Sequence, residues 1–170
     1  MDTIQITGTA FLGADFVPET VDITISNGII ADISPARTKS GSLILPAFFN
    51  AHTHIGDTVA LDTRIDRPLA ELVAPPDGLK HQILRATPED RLISAMRSSM
   101  QYMRASGTTG FADFREGGRD GVSALSAAKI SGIMPLIFGR DGGELLPDAA
   151  GFGLSSAHRR EEEREAADAA

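Results

Sequence analysis

The 170-residue sequence has no cysteine and no tryptophan, a single tyrosine and only four histidines. Without cysteine, disulfide frameworks, thiolate metal sites and cysteine nucleophiles are excluded, so any metal site must be built from histidine, carboxylate or water. No block of lysine or arginine is present and the formal charge is −7, so neither nucleic acid nor an anionic membrane surface is an expected partner. No apolar stretch approaches the roughly 18 residues of a membrane span, and MDTIQITGTA lacks the basic and apolar regions of a signal peptide. The expected location is the cytoplasm. The "GRDGGE" stretch around Gly142 and Gly143 does not have the frame of a phosphate loop. What remains is an ordinary globular composition, 42% hydrophobic and 23% charged, long enough for one domain or for one domain and part of another.

Residues 3 to 46 read as about four short strands. Ile4 and Ile6 alternate with polar neighbours, as do Val21, Ile23 and Ile25, and Asn27-Gly28 is the signal of a type I′ hairpin turn, which needs positive φ at both central positions. From Leu43 the pattern changes. "LILPAFFNAHTH" is a continuous apolar run, which predicts a strand buried on both faces as in parallel sheets. Gly56 to Lys80, rich in proline, reads as a long loop with one short helix at Leu69 to Val73. Thr87-Pro88-Glu89-Asp90 predicts a helix start with Thr87 as N-cap and Pro88 in the first turn. Ile93, Met96, Met100 and Met103 follow on one face, and Gly107 marks the stop. The methionines read as core filler. Strands at 108–114 and 133–138, a helix from Asp120 to Ser131, and the end of a fourth strand in "GFGLSS" (151–156) give a right-handed parallel βαβ series. The tail "HRREEEREAADAA" is a charged helix candidate in which His158 is solvated.

Two of the four histidines fall within "LPAFFNAHTHIGD" (45–57). On a strand over 47–54 the even positions Phe48, Asn50, His52 and His54 share one face. Two imidazoles two residues apart at the C-terminal end of a strand can bind one metal ion in cis, and that end carries the active sites of α/β barrels. The plainer reading is a pair of hydrogen-bonded histidines. Further candidates for substrate contact, or for hydrogen bonds to a metal-bound histidine, are Asn50, Asp57, His81, Asp113, Arg115 and Glu116. His81 reads equally as a surface residue near the coming helix, and Asp113 with Arg115 as a salt-bridged barrel rim.

"ILPAFFNAHTHIGD" resembles the first barrel strand of the metal-dependent amidohydrolase superfamily, particularly its chlorohydrolase and deaminase-like branch. There a small β-sandwich precedes a strand of the form P-G-[FL]-[VI]-[ND]-x-H-x-H. "ASGTTGFADF" is similar to the family's second strand. Ala47 replaces the usual glycine, and Asn50 stands where hydantoinases and dihydroorotases carry aspartate, which favours the deaminase-like branch.

The resemblance implies an α/β fold: a β-sandwich segment over 1–46, then the first half of a (β/α)8 TIM-type barrel over 47–170. A full barrel needs about 250 residues, so only about half is expected here. The implied activity is hydrolysis of non-peptide C–N bonds, by deamination or by amide or amidine hydrolysis, on a small-molecule substrate. His52 and His54 would hold a divalent ion, zinc first, with iron, nickel or manganese as alternatives, and the ion would activate a water. The family's other ligands, histidines after the fifth and sixth strands and an aspartate after the eighth, have no counterpart in this sequence. The chain alone is therefore expected to be inactive. The alternative is a non-catalytic half barrel that self-associates or pairs with another chain through its open face.

Overall fold

The computed structural model describes residues 2–38, 40–64 and 66–154. Its Cα atoms cluster into two compact units, Met1–Pro46 and Ala47–Ala170. The charged tail, with the helix candidate and His158, lies outside the described residues.

In the first unit β1 (Thr3–Leu12), β2 (Val17–Ser26), β3 (Ile29–Pro35) and β4 (Leu43–Ile44) form a sheet in the order β3-β2-β1-β4. The first three strands are antiparallel, and β4 joins β1 in parallel. Asn27 and Gly28 make the β2–β3 turn with φ of +52° and +79°, and Ser26 pairs with Ile29 across it. Ala10, Val21 and Ile23 form a small core on which Leu12, Ile25 and Ile44 pack. The described residues of this unit make one sheet, and the facing layer of a sandwich is not among them.

The second unit carries β5 (Phe48–Thr53), β6 (Thr108–Phe114), β7 (Met134–Gly139) and β8 (Ala149–Phe152). They are parallel throughout and lie side by side in chain order. The apolar run that read as one doubly buried strand is in fact divided. Leu43–Ile44 belongs to the first sheet, Pro46 cannot donate to a ladder, and the pairing resumes at Phe48. The strand β5 has one neighbour among the described residues and leaves Phe48 59% and Phe49 47% exposed. In contrast, β6 has neighbours on both sides and buries Phe111, Ala112 and Asp113.

The connection from β5 to β6 holds a 3-10 turn (Ile55–Ala60), α1 (Leu69–Val73), α2 (Leu79–Ala86) and α3 (Glu89–Ala105). Helix α2 takes in Leu79 and Lys80, the last two residues of the expected loop, and the six residues after it. Thr87 does not cap α3. Its hydroxyl donates to the Ile83 carbonyl 2.7 Å away, closing the last turn of α2. The 3.6-residue period of α3 turns Met96 and Met100 fully into the core with Phe111, Val122, Leu125 and Ile137. The helix stops at Gly107, whose φ of +89° is open to glycine at little cost. Helix α4 (Gly118–Ala128) links β6 to β7, beginning two residues earlier and ending three residues earlier than the 120–131 reading. Between β7 and β8 there is only a 3-10 turn (Gly143–Leu145), because "RDGGELLPD" places two glycines and a proline where a helix would have to form.

Met100→Ala is expected to destabilise the chain by about 2–5 kcal/mol, the cost of an unfilled cavity in a packed core. Tyr102→Ala, on the exposed side of the same helix, should change it by less than about 0.5 kcal/mol. Denaturant midpoints of the two variants test the assignment of the helix faces.

Candidate functional site

The site is assembled where the C-terminal ends of β5 and β6 meet. Asp113, last buried residue of β6, is fully buried, and its Oδ2 accepts the Ile55 backbone N–H at 2.6 Å and faces the Thr53 hydroxyl at 3.0 Å. The same hydroxyl lies 2.8 Å from the Ala112 carbonyl oxygen. One carboxylate therefore fixes both residues that flank His54. Burial pushes the Asp113 carboxyl above its ordinary value, against the opposing pull of Arg115, the Ile55 N–H and the Thr53 hydroxyl. Arg115, only 1% exposed, lies 3.3 Å from Asp113 Oδ1 and donates to Glu116 Oε2 at 3.0 Å. Its guanidinium lies so close over Gly56 that a Cβ there would overlap it.

His54 Nδ1 lies 2.9 Å from the Phe114 carbonyl oxygen and 3.0 Å from Glu116 Oε1. Burial alone would raise Glu116, but the His54 hydrogen bond, the Arg115 charge and Lys80 outweigh it and hold the carboxyl well below its usual range. Both neighbours of Nδ1 are then acceptors only. The Nδ1 atom carries the proton, and in the neutral ring Nε2 presents its lone pair. That Nε2 lies 3.3 Å from Nε2 of His52. The His52 ring is stacked on Phe114, with centroids 4.5 Å apart, and Phe114 is stacked in turn on Phe138 at 5.2 Å. Phe114 thus faces one imidazole with its ring and the other with its carbonyl.

The donor set suits a divalent ion. Two nitrogens about 2.0–2.1 Å from one tetrahedral ion stand about 3.3–3.4 Å apart, the separation of the two Nε2 atoms. Among the described residues no group of three or more histidines and carboxylates is arranged to hold a metal.

The other sequence candidates divide. Asn50 Oδ1 accepts the His52 backbone N–H at 3.3 Å. Asp57 pairs with Lys80 at 2.8 Å. Asp113 makes no hydrogen bond to either histidine and instead braces the turn between them and Arg115. His81 sits on α2 with Nε2 3.2 Å from the Val73 carbonyl, and lines a cleft of about 1300 Å³ together with Arg85, Glu116, Asp120 and Arg140. His52 and His54 do not line that cleft. Lys80, in the same stretch as His81, reads from the sequence as either substrate-facing or a surface residue. Its Nζ lies 2.6 Å from Glu116 Oε1 and its side chain is 14% exposed, but its partners are distant in sequence and no local pattern announces them.

Asp113→Ala would leave the Ile55 N–H without its acceptor and Arg115 short of one of its two carboxylates. The expected loss is about 3–5 kcal/mol of stability, measured as a shift in the denaturant midpoint. An unshifted midpoint would refute the bracing role.

Comparison with known proteins bears on the family of the chain. The sequence profile of the amidohydrolase family matches residues 43–170. A protein of Methanothermobacter thermautotrophicus named "Putative aminohydrolase" is 43% identical over 145 residues, which are 79% of this chain and 37% of that protein. An uncharacterized protein of Methanocaldococcus jannaschii is 35% identical over 160 residues, 86% of this chain and 42% of its own length. A second "Putative aminohydrolase", from Archaeoglobus fulgidus, is 37% identical over 99 residues, 58% of this chain and 28% of that protein. The chain spans less than half the length of each. With the family profile covering three quarters of its residues, the chain belongs to the amidohydrolase family.

Proposed function

We propose that this chain is the N-terminal part of a metal-dependent hydrolase of non-peptide C–N bonds, acting by deamination or by amide or amidine hydrolysis of a small molecule. In this reading residues 1–46 are the small β domain, and 47–170 supply the first four strands of an eight-stranded barrel. The side-by-side order of β5, β6, β7 and β8 supports it, as does the small share of each relative that the chain covers.

The observation that carries the proposal is the pair of Nε2 atoms 3.3 Å apart, within hydrogen-bond distance of each other and at the separation a tetrahedral ion requires, with the His54 Nδ1 proton directed to the Phe114 carbonyl. His52 and His54 would hold the ion, zinc first and iron, nickel or manganese as alternatives. When bound, the ion supplies a lowered pKa for its water and positive charge for the reacting sp² centre. Phe114 and Glu116 keep the two rings oriented. Two nitrogens fall short of the three protein ligands usual for catalytic zinc, so the remaining ligands and the general base belong to the rest of the barrel. Placement in the cytoplasm and homo-oligomerisation or association through the open barrel face are parts of the same proposal. No described helix is long and apolar enough to cross a membrane.

His52→Ala and His54→Ala, each made in the purified protein, should lose bound zinc in elemental analysis and lower zinc affinity by at least about tenfold. His81→Ala should leave both unchanged. Wild-type metal content in both of the first two variants would overturn the proposal.

A further inference from the structure

We infer that Lys80 is a positioning residue for the histidine pair, and that through it the docking of helix α2 and the binding of metal strengthen each other. The inference rests on the proposed metal site, but its first observable does not.

None of the eight residues of α2 is fully buried, and its apolar residues Leu79, Ile83 and Leu84 are only half-buried, so apolar contact holds the helix in part. Its inward anchor is Lys80. The ammonium reaches Asp57 Oδ2 at 2.8 Å and Glu116 Oε1 at 2.6 Å. Asp57 lies in the turn that follows His54, and Glu116 in the loop that follows β6. One cation therefore ties a lightly packed helix to both of the segments that frame the site.

The geometry at Glu116 decides what this tie does. Its Oε1 is the atom shared between Lys80 Nζ and His54 Nδ1, while Oε2 is taken by Arg115. With Lys80 in place the carboxylate is held from two sides and one oxygen stays on His54. Without it, Oε1 loses its shortest contact, Asp57 loses its cation, and the carboxylate can turn with the Arg115 bond as its pivot. The Nδ1 atom of His54 would then keep only the Phe114 carbonyl. Partners of this kind, one bond removed from a metal ligand, are worth about 10–100-fold in metal affinity. Whatever factor Lys80 contributes to metal affinity, metal binding must return to the docked state of α2.

The test compares wild-type protein with Lys80→Met, Lys80→Arg and Glu116→Gln. The first measurement is amide hydrogen exchange on metal-free protein. Lys80→Met should speed exchange across residues 79–86 and 55–60 while leaving the core of α3 unchanged, and Lys80→Arg should restore part of the protection. Unchanged exchange in α2 would overturn the inference whatever happens with metal. The second measurement is zinc affinity by chelator competition. A loss of about 10–100-fold is expected for Glu116→Gln, whose side chain meets a ligand directly, and a smaller loss for Lys80→Met, one contact further out, with circular dichroism unchanged. Zinc added to the wild type should slow exchange in α2. Wild-type zinc affinity in Lys80→Met, beside a loss in His52→Ala, would refute the coupling and leave the metal site standing. Loss of zinc binding in none of the variants, His52→Ala included, would remove the metal reading instead.

Discussion

The local order of the site depends on the buried Asp113 carboxylate. It lies at the end of the one described strand of its pair that has neighbours on both sides, and it accepts the first backbone N–H beyond His54 while facing the hydroxyl just before it. The strand β5 lacks a second neighbour among the described residues, so its end cannot be fixed by a ladder on each side. A fixed acceptor from the better-held strand does that work. The cost is the burial of a charge, visible in the upward push on Asp113, and Arg115 offsets it from the other side. Burying such a pair contributes little net stability, but breaking it is expensive. The pair is best understood as setting one conformation for the chain around His54.

From there the contacts run in series. Arg115 engages Glu116, Glu116 engages His54, and Phe114, between Asp113 and Arg115 in sequence, meets both histidines. A strand sends alternate side chains to opposite faces. Asp113 and Arg115 therefore lie together on the buried side, while the Phe114 ring turns to the side that carries His52. Four consecutive residues, Asp113 to Glu116, thus provide the brace, the stacking surface, the counter-charge and the hydrogen-bond acceptor. The close approach also explains two glycines. A side chain at Gly56 would meet the Arg115 guanidinium, and one at Gly121 would run into the Glu116 carbonyl.

Features with a local cause were readable in the sequence. The Asn27-Gly28 turn, the short helix at Leu69–Val73, the strand at Thr108–Phe114 and the methionine face of α3 follow from turn chemistry and from periods of 2 and 3.6. The convergence of His52 and His54 follows from their spacing. What was not readable depends on choices made in three dimensions. Thr87 could cap the helix ahead or close the one behind, and the hydroxyl took the second option. Helix α2 is only eight residues long, so its apolar positions Leu79, Ile83 and Leu84 span too short a window to declare a helical period. Lys80 joins Asp57 to Glu116 across long stretches of chain, and no composition or period encodes such a pair. The division at Pro46 was hidden because hydrophobicity runs across it without a break.

The position of the histidines on β5 links the chemistry to the architecture. Among the described residues β5 is an edge strand, with exposed phenylalanines at Phe48 and Phe49. A barrel removes such an edge by pairing its last strand with its first. In the barrel proposed for this protein, β5 is the first strand, so the strand that would cover Phe48 and Phe49 is also the one brought nearest to His52 and His54. Closing the sheet would then also bring the last of the missing ligands to the histidines. Two imidazoles held ready by Phe114 and Glu116 are a sensible half of such a site, because the ordering cost for these two rings is met by contacts within this chain.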